Sequence, residues 1–472
     1  MSSGKPNVVW ISLESVRADH TSLNGYRRET TPNLERIANS ENGVSFSQCF
    51  AQSMWTPAST ASILTGTHMF RHRVGMDEAE NCVLDPQYDT LPQLLSQRGY
   101  TTSCLSTNAF LSEATGINKG FDNFKWLRKS KSGIFQREML IPVLKYLTSV
   151  RTYGPGITLD GRQHNFTYIL GEQTRKTTTS LSDDEPYFLY IHPSNPHHPY
   201  APPLKYREKF FDDIEFTPEE AIELSLEVYE SQDAVKRQIA NGPDLTTKEW
   251  DAIRALYDAE IAYVDEFVGW VYDYIQSMSE NTIFIVTGDH GDLFGEQGVI
   301  GHNLVLDDGL THVPMVIEGL SGIEKNTDEI IQHIDVTRTL ASELGIESDQ
   351  FQGQDLTGKS EGFAISQRGR IDLDRYRNYN AAFSLSDFHE APLSMILDEQ
   401  FKLLYSTDRV ELVEPPEETV DVSSSNSKAY QRLENCLKET LQEMRSSEQT
   451  LIDRDAEFTD EMRDQLSDLG YL

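Results

Sequence analysis

Three short apolar runs stand out from a mostly polar chain: NVVWISL at 7–13, YFLYIH at 187–192 and TIFIVTG at 282–288. Their length and their β-branched and aromatic content predict buried strands of a mostly parallel sheet, since a strand covered on both faces reads as a continuous apolar run. Between them apolar positions recur at helical spacing, as in TLPQLLSQRGY and RALYDAEIAYVDEFVGWVYDYIQSM, which predicts helices flanking that sheet. Each strand delivers polar, ligand-type residues: Glu14 after the first, His192 and NPHHPY at the end of the second, Asp289 and His290 after the third. Ligands of open α/β sheets bind outside the carboxyl ends of the strands, so these residues point to one site.

Beyond residue 360 the texture changes. AAFSLSDFH, APLSMILDEQFKLLYST and RVELVE predict a small antiparallel sheet, and an acidic, Ser-rich link leads into two amphipathic helices with Leu433, Leu437, Leu441 and Met444 on one stripe. The expected organisation is an α/β domain over 1–360 and a small α+β subdomain over 361–472. Near the front, SMWTPASTASILTG at 53–66 reads as a short helix, with Thr56 as its N-cap, Pro57 at the first helical position and Gly66 as its stop.

Composition narrows the partners. The 472 residues hold 75 Asp and Glu against 41 Lys and Arg, a formal charge of -34 that argues against a nucleic-acid backbone as ligand. The acidic excess is dispersed along the chain, which suits a protein working in concentrated salt, as in a halophile. A strand-like run begins within seven residues of the start, without signal-peptide architecture, and no apolar run reaches spanning length, so a cytoplasmic protein is expected. Cys49, Cys82, Cys104 and Cys436 are far apart and form no CxxC, and are read as small hydrophobes. One stretch opposes the global charge: residues 125–151 carry seven Lys or Arg and one acid. It is either a basic surface helix meeting acidic neighbours or, within a 125–185 insert, a lid or a contact for a lipid headgroup or peripheral membrane.

Glu14, Asp289 and His290 are hard or borderline ligands able to hold one divalent cation, Mn²⁺ or Mg²⁺ in preference and Ca²⁺ as a further candidate. TGDHGDLFGEQGVIGH sets Asp and His side by side on a Gly-rich turn, where no regular element forces them apart.

With NVVWISLESVRADHTSLNGYRRETTPNLERIA, STASILTG, GYTTSCLSTNAF, GFDNF, HPSNPHHPYAPP, YDAEIAYVDEFVG, HIDVTRTL and LGYL in the same order, the chain resembles the sulfatase family of the alkaline phosphatase superfamily. That resemblance implies an alkaline phosphatase-like α/β fold, with a large mostly parallel or mixed sheet flanked by helices and a small C-terminal antiparallel sheet plus helices. It also implies a nucleophile ten residues before the Gly of the Leu-Thr-Gly turn, which is Thr56 here. Thr56 then joins Glu14, Asp289 and His290 around the ion, while His197 and His302 match family histidines near the transferred group, suited to act as cations or acids. His192 and His198 are read as structural, Arg17 and Asp19 as stabilising their loop, and Arg71 and His72 as candidates to reach the anion.

Three departures from the family pattern bear on the substrate. Authentic sulfatases carry Cys or Ser, then Pro and Arg at alternate positions, and oxidise the first to formylglycine; here the run is Thr56, Pro57, Ala58, Ser59, Thr60. The paired Asp after the first strand is replaced by Glu14 and Ser15, and the Lys-any-His pair falls at Thr107 and Ala109. What remains resembles lipoteichoic-acid synthase-like phosphoglycerol transferases and other Thr-nucleophile phosphoesterases. The expectation is a hydrolase or transferase acting on an anionic phosphate ester, a phosphodiester or a lipid or sugar phosphate, through a covalent Thr56 intermediate. The alternatives are a sulfuric ester hydrolase without formylglycine and a non-catalytic metal-binding scaffold.

Overall fold

A computed structural model describes residues 4–76, 82–127, 140–156, 158, 160–181, 185–325, 327–416, 418–446 and 456–468. The strands in chain order are β1 (Asn7–Leu13), β2 (Gly43–Phe50), β3 (Thr101–Ser106), β4 (Asn123–Trp126), β5 (Tyr187–His192), β6 (Thr282–Gly288), β7 (Leu293–Phe294), β8 (Ile300–Gly301), β9 (His312–Glu318), β10 (Thr327–Gln332), β11 (Ala364–Arg368), β12 (Leu393–Leu397), β13 (Lys402–Tyr405) and β14 (Val410–Val413). Eight of them form one sheet in the order β10-β2-β9-β6-β1-β5-β3-β4. The sheet is mixed, because β9 runs antiparallel to both β2 and β6 while the other pairs are parallel.

The three apolar runs are the adjacent central strands β6, β1 and β5. Their side chains alternate between two cores, as a period of two requires. Val9, Ile11 and Leu13 pack with Leu256, Ile261, Val264 and Val268 of the 32-residue helix Thr247–Met278. Val8 and Trp10 face the other way, against Ile63 and Leu64 of helix Thr56–Thr65 and Val336 and Leu340 of helix His333–Glu343. Helix Thr247–Met278 starts at a capping box in which Thr246 and Glu249 satisfy each other's backbone N–H groups. No helix among the described residues is long and apolar enough to cross a membrane.

β11 to β14 form the small antiparallel sheet. One face receives Leu433, Leu437 and Leu441 of helix Ser427–Ser446, and the other packs Ala364, Leu393 and Met395 on Phe50, Leu306 and Ile330 of the large domain. The side chain of Met444 lies outside the described residues. Residues 381–389 are not the expected strand: they hold a 3₁₀ turn at Leu385–Asp387. The Asn380 side chain accepts from the Ala382 amide and Ser384 Oγ donates to Asp387, local bonds that offer the backbone an alternative to a ladder. Cys49, Cys82 and Cys104 are buried and Cys436 is partly buried, all as free thiols. Of the basic stretch, residues 128–139 lie outside the described residues. The rest includes helix Leu140–Tyr153, where Lys145 pairs with Glu172 of helix Thr167–Thr179.

Candidate active site

Strand register decides which side chains meet first. Leu13 of β1 lies opposite Gly288 of β6, so the next residue of each, Glu14 and Asp289, leaves the sheet side by side. The Asp289 amide donates to the Leu13 carbonyl at 2.9 Å. Glycine is required at 288, where a Cβ would stand 2.6 Å from the Val16 carbonyl. Asp289 Oδ1 accepts from the amides of Ser15 (3.0 Å) and His290 (2.8 Å). Ser15 reaches that position with φ +60°, a conformation that non-glycine residues rarely adopt. Asp289 Oδ2 is buried and accepts no hydrogen bond from the described residues.

Thr56 arrives on its own helix. Trp55, in extended conformation (φ −156°, ψ 158°), is the N-cap; Thr56 and Pro57 are the first two helical residues, one position further in than the capping signals imply. Gly66 ends the helix at φ +64°. Thr56 Oγ1 lies 3.2 Å from His290 Nε2 and 3.5 Å from Glu14 Oε1. His290 Nδ1 donates to the Gly291 carbonyl at 2.8 Å, which fixes the ring proton on Nδ1 and turns the Nε2 lone pair toward the Thr56 hydroxyl. Glu14 Oε1 also accepts from Asn108 Nδ2 at 2.6 Å, and Glu14 Oε2 stands 3.4 Å from His192 Nε2. Glu14, Thr56, Asp289 and His290 are fully buried. Two carboxylates, an imidazole nitrogen and a hydroxyl, with Asp289 Oδ2 buried and lacking a donor among the described residues, form the donor set that a hard or borderline divalent cation takes.

A second cluster abuts the first. Asp292, also fully buried, accepts from His198 Nδ1 (2.9 Å), His302 Nδ1 (3.3 Å) and the Tyr200 hydroxyl (2.5 Å). His197 Nδ1 donates to the His198 carbonyl at 2.7 Å, and its ring stacks on that of His198. The His302 ring lies 5.0 Å from His197 and 4.9 Å from His290. One ring nitrogen from each of His197, His198 and His302 falls within 4.8 Å of the others, so these rings are a second candidate cation site. Burial alone would raise the Asp292 carboxyl, but its histidine partners hold it well below the ordinary range. Burial lowers His302 to about 4 and His197 well below its usual value, so both rings are neutral near pH 7 in the protein alone.

The structure thus brings Glu14, Thr56, Asp289, His290, His197 and His302 together, and places His192 and His198 in the same walls. Arg17 joins two loops: its Nε and Nη2 bond Asp19, and its Nη1 donates to Glu296 and to the Asp292 carbonyl. His72 is turned away, with Nε2 on Ser62 Oγ (2.9 Å) and Nδ1 accepting from the Val74 amide (3.1 Å). Ser62 lies six residues along the helix from Thr56, about 9 Å at 1.5 Å per residue. Sequence reasoning passed over Asn108 and Asp292. Asp292 stands in the quoted Gly-rich run, and Asn108 lies between the two positions read as a missing pair.

A family model described as Sulfatase matches residues 6–346. Among curated relatives, the uncharacterized sulfatase YidJ of Escherichia coli is 24% identical over 243 residues, 48% of this chain and 44% of its own length. The N-acetylglucosamine-6-O-sulfatase of Bacteroides thetaiotaomicron is 22% identical over 474 residues, 85% of this chain and 78% of its own. Among solved structures, the phosphonate monoester hydrolase of Agrobacterium radiobacter has TM-score 0.70 at 20% identity over 94% of this chain and 96% of that one, a likeness of fold.

Proposed function

The chain belongs to the sulfatase family, and from that premise we propose that it is a metal-dependent hydrolase or transferase of phosphate esters that works through a covalent intermediate on Thr56. The observation that carries the reading is the Thr56 hydroxyl, buried at a helix N-terminus and 3.2 Å from a His290 nitrogen whose lone pair faces it. Exposed N–H groups and the dipole at that helix end favour an anion. Threonine cannot give the formylglycine aldehyde, so the side chain acts as it stands. A structural relative that is a phosphonate monoester hydrolase supports chemistry at phosphorus on this scaffold.

Glu14, Asp289, His290 and Thr56 would hold the cation, which when bound supplies positive charge that acidifies a hydroxyl and stabilises the transferred anion. Thr56 Oγ1 releases its proton to solvent and forms the bond to phosphorus as the bond to the ester oxygen breaks. In this reading His302, once it has taken up a proton from solvent, protonates the departing oxygen. Its Nδ1 is anchored on Asp292, and the negative charge of a bound ester opposes the burial that keeps the ring neutral. Water or a second alcohol then takes the phosphoryl group from Thr56. Hydrolysis of a sulfate ester by unmodified Thr56 is the competing reading, favoured by the names of the curated relatives.

The test is turnover of 4-nitrophenyl phosphate, bis(4-nitrophenyl) phosphate and 4-nitrophenyl sulfate by wild type and Thr56→Ala, in high KCl with Mn²⁺, Mg²⁺ or Ca²⁺. Turnover of a phosphate ester that falls by about 10³-fold or more in Thr56→Ala is expected. Turnover of the sulfate alone, dependent on Thr56, would overturn the reading.

A further inference from the structure

A cleft of about 170 Å³ opens off His302, between helix Gln232–Asn241, the Trp55 ring and the loop after β11. Among the described residues its walls carry Lys236, Arg368, Arg370 and Arg375 and the carboxylate of Asp372, with Glu390 paired to Arg370, in a chain where acids outnumber bases 75 to 41. Among the described lining residues cations outnumber carboxylates, the reverse of the chain as a whole.

Arg368 is the deepest of these cations, 1% exposed at the end of β11. Its guanidinium donates to four backbone carbonyls, those of Leu304 (2.7 Å), Gly369 (2.9 Å), Ala391 (3.2 Å) and His389 (2.5 Å). Among the described residues it forms no ion pair, and burial pulls it down to about 9. A buried cation whose partners are all neutral is costly, and an anion entering the cleft lowers that cost. Arg370 and Arg375 are paired with Glu390 and Asp372, but at the surface, where such pairs are weak and yield to a competing anion.

Position ties the cleft to the chemistry. Trp55 is the N-cap of the helix that begins with Thr56, and its ring lies so close to Gly75 that a Cβ there would stand 2.4 Å from it. Trp55 and His302 both line the cleft, so it adjoins the proposed acid and the start of the helix that carries Thr56.

We propose that the cleft binds the alcohol portion of the substrate and that this portion carries a second negative charge, as a carboxylate, phosphate or sulfate group. The proposal rests on ester cleavage at Thr56, and it makes Lys236, Arg370 and Arg375 determinants of specificity. Arg368 supplies fixed positive charge at the base.

The experiment compares 4-nitrophenyl phosphate with 3-carboxy-4-nitrophenyl phosphate, and the two corresponding sulfates, at one ionic strength. The charged leaving group is expected to raise kcat/KM at least fivefold, mainly through KM, and this ratio is expected to fall toward one in the Arg370→Gln/Arg375→Gln double variant. A wild-type ratio near one, or a ratio unchanged in the double variant, would overturn the proposal. If only the sulfates react, the assignment to phosphorus fails while the ratio still reads the cleft. If no ester reacts, calorimetric titration of wild type with 3-carboxy-4-nitrophenol and 4-nitrophenol reads it without chemistry. Tighter binding of the carboxylated phenol supports the proposal and equal binding refutes it.

Discussion

The two halves of the site are built by different means. The carboxylate half stands on the ends of adjacent parallel strands, where the register of β1 against β6 puts Glu14 beside Asp289 and backbone amides orient Asp289 Oδ1. The histidine half hangs from loops, with His198 and His302 gathered by one side chain, Asp292. A ladder of backbone bonds distributes the work of positioning over a whole sheet, whereas a gathering carboxylate concentrates it in one residue. The first arrangement tolerates change around it, and the second has a single point of failure.

That contrast is most exposed at Asp292. Asp292→Asn replaces an acceptor for three donors with a side chain that must itself donate, and each hydrogen bond to a charged group contributes about 1.5–3 kcal/mol. A fall in kcat/KM of about 100-fold is expected, together with a displaced pH profile, measured on the ester that wild type turns over best. Wild-type kinetics in this variant would break the comparison. A smaller effect is expected in the carboxylate half from Asn108→Ala, which removes the 2.6 Å bond to Glu14 and leaves the strand register alone. Partners that orient metal ligands are worth about 10–100-fold in affinity. Titration of metal-stripped protein with Mn²⁺ is expected to show a loss near the low end of that range, because the backbone still holds Asp289.

The smallest effect concerns stability and runs through Glu260, which accepts from Asn195 and the Ala201 amide and so supports the loop carrying His197. Burial raises its carboxyl from 4.5 to about 7. A carboxyl raised on folding contributes stability that is fully present below pH 4.5 and is lost as pH rises through about 7. Glu260→Gln lacks that dependence. The wild-type advantage in Tm over this variant is therefore expected to be greatest below pH 4.5 and to shrink by a few degrees by pH 8, as followed by calorimetry. A difference that does not vary with pH would show that the Glu260 carboxyl titrates alike in the folded and unfolded chain.

Legibility in the sequence divides along the same line. β1, β5 and β6 could be read directly because strands buried on both faces must be apolar throughout, and Glu14, Asp289 and His290 stood just past their ends, where ligands bind. Thr56 could not be read from local signals, which describe only a helix start; the family resemblance singled it out, and the structure moves the cap to Trp55. Asp292 and Asn108 act on partners 94 residues away, His198 and Glu14, and no periodicity encodes a contact of that range. Residues 381–389 show the converse error. Alternation there suggested a strand, but Ser and Asp side chains bonded locally and made a turn.

Two cations of the small sheet reach back into the large domain. Arg368 holds the Leu304 carbonyl, and Lys402, buried with Asp308 and Glu418, donates to that of Leu306. A chain truncated at residue 360 would keep all eight strands of the main sheet and lose both grips on the segment after His302. The C-terminal piece is thus no detachable accessory, and a protein engineer could not discard it to obtain a minimal enzyme. Grafting residues 364–413 from a relative that keeps Arg368 and Lys402 would change the wall facing the leaving group without replacing Thr56, Glu14, Asp289 or His290, which makes that exchange a natural route to new selectivity.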